Sequence, residues 1–108
     1  MKRITYDVIR SRDSATFTGS YQTLGSPLSF ACSIIKFVNN SNQLVTISTD
    51  GTNTHDVLPA NSYSVYDETT NHSTEYTYMA KGTQFYILGA SGTGLVYLVT
   101  QYTAHEGV

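Results

Sequence analysis

The glycine-rich segment 89–94 is the first place in this sequence where chemistry could be sought. Its letters, GASGTG, superficially match a phosphate-binding loop. Such loops end at a helix N-terminus and bring a lysine to the phosphates. This segment has no lysine and leads into the strand-like residues 95–102. The sequence therefore predicts a hairpin turn at 89–94.

The polar segment 50–56 (DGTNTHD) gathers oxygen and nitrogen atoms that could bind a metal ion. Calcium takes six to eight oxygen ligands, and two carboxylates, those of Asp50 and Asp56, are too few for a self-sufficient site. Asp50-Gly51 is a strong hairpin signal, because glycine tolerates the positive φ of tight turns. We therefore expect a hairpin with a polar tip, and we predict no metal ion or other cofactor.

The histidines His55, His72 and His105 give little support for catalysis. None has a second histidine at the short spacing of a metal-binding pair. The sequence also lacks the Gly-x-Ser-x-Gly motif that presents a nucleophilic serine. We therefore predict a non-enzymatic protein with no catalytic residue.

The elements that would position any site are predicted to be short β-strands. Serine and threonine supply 28 of 108 residues, and tyrosine supplies 9, a composition that favours pleated strands over helices. Connections of no more than nine residues favour antiparallel pairing. The sequence predicts a single domain over 1–108, a compact antiparallel β-sandwich of jelly-roll-like type with eight or nine strands. The predicted strands cover residues 4–10, 15–23, 29–39, 44–49, 56–58, 62–66, 76–79, 84–88 and 95–102.

Alternation within these segments predicts which side chains face the core. Val45 and Ile47 should face inward, and Tyr63 is expected on the core side of its strand. Segment 29–39 is apolar on both faces, which is typical of a central strand or of one beneath an oligomer contact. Cys32, the one cysteine, cannot form an intrachain disulfide, and we expect it to be a small buried hydrophobic residue.

Charge is distributed unevenly along the chain. Residues 1–12 carry four basic residues against one acid, a balance of +3, whereas the remaining residues carry two against seven, a balance of −5. Such a basic N-terminal arm could be solvated, or could dock on an acidic partner surface; nucleic-acid binding is disfavoured by the acidic balance. Exposed tyrosines suit interfaces, because they combine large contact area with a polar tip. The predicted partner-binding residues are Lys2, Arg3, Arg10, Arg12, Tyr66, Tyr76 and Tyr78.

The sequence predicts no segment that would direct the chain to a membrane. The basic start is followed by no apolar core of a signal peptide. No window approaches the roughly 18–20 apolar residues of a transmembrane helix. We expect the polar residues 67–75 to form a surface loop and residues 103–108 to form a frayed tail.

Turn glycines and alternating strands over about three-quarters of the chain resemble those of small virion proteins of tailed bacteriophages. The resembling segments are 19–28 (GSYQTLGSPL), 34–40 (IIKFVNN), 45–51 (VTISTDG), 58–60 (LPA), 80–86 (AKGTQFY) and 91–98 (SGTGLVYL). The resemblance implies a β-sandwich subunit present in many copies on a virion, as a capsid decoration (cement) protein or a head–tail or tail component. The implied partners are other copies of the chain and virion proteins such as the major capsid protein.

Two functions remain open from the sequence. One is a structural virion subunit, made in the host cytoplasm and acting by non-covalent association. The alternative is a carbohydrate-binding module that recognises host-surface glycans through tyrosines. Sugar-stacking sites usually recruit tryptophan, of which the chain has none.

Overall fold

The computed structural model describes residues 2–67 and 79–105, and within them the regular structure is almost entirely β. A single 3₁₀ turn at Ser14–Thr16 is the exception in this part of the chain. All strand pairs are antiparallel, which confirms the predicted all-β antiparallel sandwich. The strands are β1 (Lys2–Tyr6), β2 (Arg10–Asp13), β3 (Gln22–Thr23), β4 (Ile34–Ser41), β5 (Val45–Ser48), β6 (Asp56–Leu58), β7 (Ser62–Asp67), β8 (Tyr86–Gly89) and β9 (Gly94–His105).

The strands form two sheets. The first sheet has the order β1-β9-β4-β7, with β2 following β1 along the same edge of β9, and the second has the order β3-β8-β5-β6. If β1 and β2 are counted as one broken strand, the two orders become 1-8-3-6 and 2-7-4-5. This alternation between sheets is the strand order of a jelly roll, which agrees with the predicted jelly-roll-like type.

The core lies between the sheets and follows the period-two alternation of the strands. β4 contributes Ile35 and Phe37, and β9 contributes Val96 and Leu98. The ring of Phe37 packs edge-to-face against that of Phe85, with centroids 5.2 Å apart. The predictions for Val45, Ile47 and Cys32 are confirmed. The full set of buried apolar residues is Phe17, Leu24, Leu28, Cys32, Ile35, Phe37, Val45, Ile47, Leu58, Phe85, Ile87, Val96 and Leu98.

Buried Asn39 joins the two sheets at one end of the sandwich. Its amide nitrogen donates to the carbonyl oxygens of Gln43, Leu58 and Pro59, and its oxygen accepts from the backbone and hydroxyl of Ser41. Leu58 ends β6 in the second sheet, whereas Asn39 lies in the first. A buried amide must be hydrogen-bonded to offset its desolvation, so this network fixes the loops on either side of it.

Some predicted segments are wrong for local reasons. Segment 89–94 is not a hairpin turn, because β8 and β9 belong to different sheets and the segment crosses between them. Within 15–23, the side chain of Asp13 accepts from the Ala15 backbone N–H and starts the 3₁₀ turn, so that only Gln22–Thr23 pairs as a strand.

The ends of two further segments also differ from the prediction. The third predicted strand begins only at Ile34, and Phe30 is 43% exposed and stacks on Tyr102. The predicted frayed tail is wrong for residues 103–105, which continue β9 opposite β1. Residues 68–75 of the predicted loop and 76–78 of the predicted strand lie outside the described residues, whereas Met79 pairs with Cys32 in an isolated bridge.

Gly94 provides a test of the crossing between the sheets. Its φ is +97°, and a Cβ atom at this position would collide with the carbonyl oxygen of Asn40. We expect Gly94→Ala to lower the free energy of unfolding by about 1–3 kcal/mol more than Gly19→Ala. Gly19 is a matched control, because its φ is +81° and a Cβ there has no neighbour within 4 Å. Urea unfolding followed by circular dichroism measures both losses; equal losses would contradict the collision.

Candidate interaction surface

The outward-pointing side chains of the first sheet form a mostly apolar surface. Their direction follows from the register, since cross-strand partners point to the same side. Tyr97 lies opposite Val38, and Val38 lies opposite Tyr63, so these three side chains form one row across the sheet. The outer face, as the term is used below, consists of Ile4, Tyr6, Ile34, Lys36, Val38, Tyr63, Val65, Leu95, Tyr97, Val99 and Gln101, and the same register places the polar residues Ser11, Asp13, Asn40, Asp67 and Thr103 on this side at its ends and edges.

Several side chains of the outer face are strongly exposed. Tyr63 is 71% exposed, Tyr6 67%, Ile4 52% and Val65 49%. Lys36, in the inner strand β4, is the charged residue near the centre of the outer face, and Asp13 and Asp67 lie on the same side at the ends of β2 and β7. Contiguous exposed apolar area of this kind marks interaction sites on soluble proteins. The outer face is therefore the candidate functional site.

The outward side of the second sheet is more polar and partly covered. The Tyr21 hydroxyl hydrogen-bonds the hydroxyls of Thr46 and Thr54, and so joins the strand β5 to the loop that follows it. The same loop lies over Tyr86, whose ring is 3.4 Å from where a Cβ of Gly51 would be. These contacts leave the second sheet a poorer candidate than the outer face.

A buried ion pair holds the break between β1 and β2. The side chains of Arg10 and Asp7 are 2% and 3% exposed, with Nη2 and Oδ2 3.1 Å apart. The guanidinium also donates to the carbonyl oxygens of Val8, Ser26 and Pro27. Every guanidinium nitrogen therefore has an acceptor within the chain.

The break between β1 and β2 exposes two apolar side chains, whereas its two charged side chains are buried. Val8 is 71% exposed and Ile9 is 57% exposed, next to the buried pair of Asp7 and Arg10. The carboxylate of Asp7 accepts from the backbone N–H groups of Val8 and Ser29. Asp7 and Arg10 thus hold the rim of the first sheet in the conformation that exposes Val8 and Ile9.

The pKa of Asp7 reflects this environment. Burial by itself raises it, but hydrogen bonds from the backbone N–H groups of Val8 and Ser29, together with the hydrogen bond and positive charge of Arg10, outweigh burial. The pKa of Asp7 is consequently held below its ordinary value. The carboxylate is thus a stabilising group in its ionised form.

The predicted basic arm is not a detached arm. Residues 2–13 form β1, the break and β2, all along one edge of β9. The prediction of a partner contact is wrong for Arg10, because its guanidinium is buried and fully engaged. Arg12 is half-buried and donates to the Thr23 carbonyl and the Thr16 hydroxyl.

The remaining basic residues of that prediction lie in β1. Arg3 is exposed, and its contact with a partner stays a prediction. Lys2 is paired through its backbone with His105, and its side chain lies outside what the structure describes. The net charge of residues 1–12 in the sequence therefore overestimates the positive charge that is exposed to a partner.

The tyrosines do not fall where alternation placed them. Tyr63, expected on the core side, is the most exposed of the outer-face residues named above, because β7 pairs with β4 in the register that places Tyr63 beside Val38. Tyr66 points to the core side, edge-to-face with Phe37 at a centroid distance of 6.2 Å, although it remains 38% exposed. Tyr76 and Tyr78 lie outside the described residues.

The loop between β5 and β6 uses its polar atoms internally. β5 and β6 do pair as the predicted hairpin. The Asp50 carboxylate accepts from the backbone N–H groups of Asn53 and Thr52, the Asn53 amide and the Ser48 hydroxyl, and these bonds hold the pKa of Asp50 well below its usual range. His55 accepts from the Thr49 backbone N–H through Nδ1. Across residues 2–67 and 79–105 no group of three His, Cys, Asp or Glu could hold a metal ion.

Comparison of the chain with protein-family models and with curated proteins gave no match. The described part of the chain contains no helix with the length and hydrophobicity that a membrane crossing requires. The candidate site therefore rests on geometry. The expected resemblance to phage virion proteins stays a prediction.

Removing the buried guanidinium should destabilise the fold. We expect Arg10→Met to lower the free energy of unfolding by about 3–5 kcal/mol, because it leaves the Asp7 carboxylate buried without its partner. Arg12→Met removes the same group from a half-buried position in the same strand, β2. We expect it to lower the free energy of unfolding by roughly 1–2 kcal/mol. Chemical denaturation of both variants measures the difference. Similar losses would show that Arg10 is not structurally distinct from Arg12.

Acid should remove the contribution of Asp7. Because its folded pKa is lowered, ionised Asp7 stabilises the fold above its unfolded pKa of about 4, and this contribution is lost as the pH falls through the folded value. The melting temperature of wild type should therefore exceed that of Asp7→Asn near neutral pH, and the gap should narrow progressively below about pH 4. Thermal unfolding over a pH series measures the gap. A gap that stays constant into strong acid would contradict the assigned role.

Proposed function

We propose that this protein is a non-enzymatic structural subunit of a bacteriophage virion. In this proposal it assembles in many copies as a capsid decoration or cement protein, or as a head–tail or tail component. The observation that carries the proposal is the exposed apolar outer face. A structural subunit assembles when a neighbouring subunit binds to and covers such a face.

Burial of the outer face would supply the free energy of assembly. Fully burying a large apolar side chain contributes roughly 1.5–3 kcal/mol, and Tyr6, Ile4, Tyr63 and Val65 are each about half or more exposed. The partner surface should be flat and largely apolar, because the outer face is a sheet whose centre carries the charge of Lys36 and whose acidic residues, Asp13 and Asp67, lie at its edges. A neighbouring copy, or another virion protein such as the major capsid protein, fits this description.

The fold is compatible with the proposal but does not carry it. Jelly rolls occur in viral capsid domains and also in lectins and cupins. Since one fold hosts several functions, the assignment depends on the exposed face and not on the strand order. Direct contact with nucleic acid is not part of the proposal, because the guanidinium groups of Arg10 and Arg12 are engaged within the chain.

A carbohydrate-binding module that recognises host glycans is the second candidate. It is favoured by the exposure of Tyr6 and Tyr63, since exposed tyrosine rings can stack on sugars. Tyr6 and Tyr63 are three strand spacings apart across the sheet and four residues apart along the strands, which together give about 20 Å. Titration with a glycan panel, followed by NMR shifts of these rings, tests this function. Shifts confined to the outer face with one saccharide class would favour it over a virion role.

Charges placed on the outer face should prevent attachment to the particle. We expect Ile4→Asp and Tyr6→Asp to reduce the amount of protein on purified virions at least tenfold, because a carboxylate cannot be buried against an apolar partner without a large desolvation cost. Leu44→Asp and Val57→Asp are matched controls, with 54% and 48% exposure away from the outer face. They should change attachment less than twofold.

The measurement is quantitative immunoblotting and gold-labelled antibody imaging of particles made in cells that express each variant. All four sites are exposed, so the variants should keep their melting temperatures within a few degrees, which thermal unfolding checks. If the wild-type protein is missing from particles, or if the outer-face variants attach as well as the controls, the proposed function is wrong.

A further inference from the structure

The loop between β5 and β6 contains Asp50-Gly51, the single Asp-Gly pair of the sequence. An Asp-Gly bond is labile in a flexible chain, because glycine lets its own backbone nitrogen reach the side-chain carboxyl carbon of the aspartate. The nitrogen bonds to Cγ and closes a succinimide ring, while its proton and the carboxyl hydroxyl leave together as water. Water then adds to either ring carbonyl and cleaves its bond to the ring nitrogen. Hydrolysis yields aspartate or isoaspartate, in which the main chain runs through the side chain.

The geometry of the turn favours both members of this labile pair. Gly51 has a φ of +79°, a left-handed conformation in which a side chain is strained. The Asp50 carboxylate accepts hydrogen bonds from the Ser48 hydroxyl, from the backbone N–H groups of Thr52 and Asn53, and from the Asn53 amide. An aspartate followed by a glycine therefore suits this loop, although the same pair is chemically reactive when the loop is open.

We propose that Asp50-Gly51 is a latent site of isoaspartate formation, which Ser48 and Asn53 hold unreacted while the β5–β6 loop is folded. The proposal goes beyond the proposed function and does not depend on it, because it concerns a reaction within one chain. It rests on contacts that restrain the attacking nitrogen and the carboxyl group separately.

The attacking nitrogen is restrained by Ser48. The Gly51 backbone N–H donates to Oγ of Ser48 at 3.0 Å, and the Asp50 backbone N–H donates to the same atom at 3.1 Å. Before it can attack, the Gly51 nitrogen must lose its proton and turn toward the carboxyl carbon, and both changes break its hydrogen bond. Ser48 is fully buried and pairs with Tyr86 of β8, so the second sheet fixes the position of this acceptor.

The carboxyl group is restrained through both of its oxygens. Oδ1 accepts from the Ser48 hydroxyl and from the Thr52 and Asn53 backbone N–H groups, each at 2.8 Å, and Oδ2 accepts from Nδ2 of Asn53 at 2.9 Å. Rotation of Cγ toward the Gly51 nitrogen would break several of these bonds at once. The same donors favour the ionised carboxylate and hold the pKa of Asp50 well below its usual range. An ionised carboxylate is a poor electrophile, because it cannot release a hydroxyl group as water.

Isoaspartate formation during storage tests the proposal. Wild-type protein is incubated at neutral pH in buffer and in urea, and isoaspartate at position 50 is quantified by peptide mapping with electron-transfer mass spectrometry. We expect formation to be at least about tenfold slower in the folded protein than in urea, because the reaction must first break these hydrogen bonds. Equal rates in buffer and in urea would overturn the proposal.

Ser48→Ala tests the protection within the folded loop. The variant removes the acceptor of the Gly51 N–H and one donor to Asp50, so isoaspartate at position 50 should form several-fold faster than in wild type. Thr52→Ala is the matched control, because Thr52 contributes its backbone N–H, which the variant keeps. It should change the rate less than twofold. Equal rates in the two variants would contradict the role of Ser48 and overturn the proposal.

Asp13-Ser14 serves as an internal control for unfolding. Asp13 ends β2 in the first sheet, whereas the β5–β6 hairpin belongs to the second. A rise at position 50 alone in Ser48→Ala supports the proposal. If isoaspartate rises equally at position 13, Ser48→Ala has lost the whole fold, and Asn53→Ala then decides. Asn53 is exposed, and its truncation removes the amide bond to Asp50; no rise at position 50 in folded Asn53→Ala would overturn the proposal.

Discussion

The pairing of β9 on both of its edges is the constraint on which the rest of the structure depends. One edge pairs with β4 at eight positions, and the other pairs with β1 at five and with β2 at four. Because paired residues point to the same side, burial of Val96 and Leu98 fixes the direction of every side chain in the first sheet. The register of the first sheet therefore determines both which side chains enter the core and which lie on the outer face.

The break between β1 and β2 shows how charge supports an apolar surface. Arg10 and Asp7 are buried together, and their hydrogen bonds to the 26–29 segment close one edge of the first sheet. Asn39 performs a similar task at the other end of β4, where its amide holds the loops that connect the two sheets. Polar groups thus occupy the ends and edges of this sandwich, and apolar side chains are left on the outer face.

The sequence predicted the architecture better than the surface. Alternation correctly predicted that Val45 and Ile47 face the core, because the polar residues that alternate with them leave only one choice of core-facing side. It failed for Tyr63, because β7 has large side chains on both sides and its phase is set by pairing with β4, a contact distant in sequence. It failed for Arg10 for the same reason, since no local pattern distinguishes a basic residue in solvent from one that also donates to carbonyl groups sixteen and seventeen residues away.

The pairing of Lys2 with His105 also has a consequence for folding in the cell. β1 cannot pair until β9 has been synthesised, and until then β4 is paired only with β7. Such long-range closure is slow compared with local pairing. Nascent copies made close together could donate β9 to one another, so strand exchange is the competing outcome that rapid, high-level synthesis would favour.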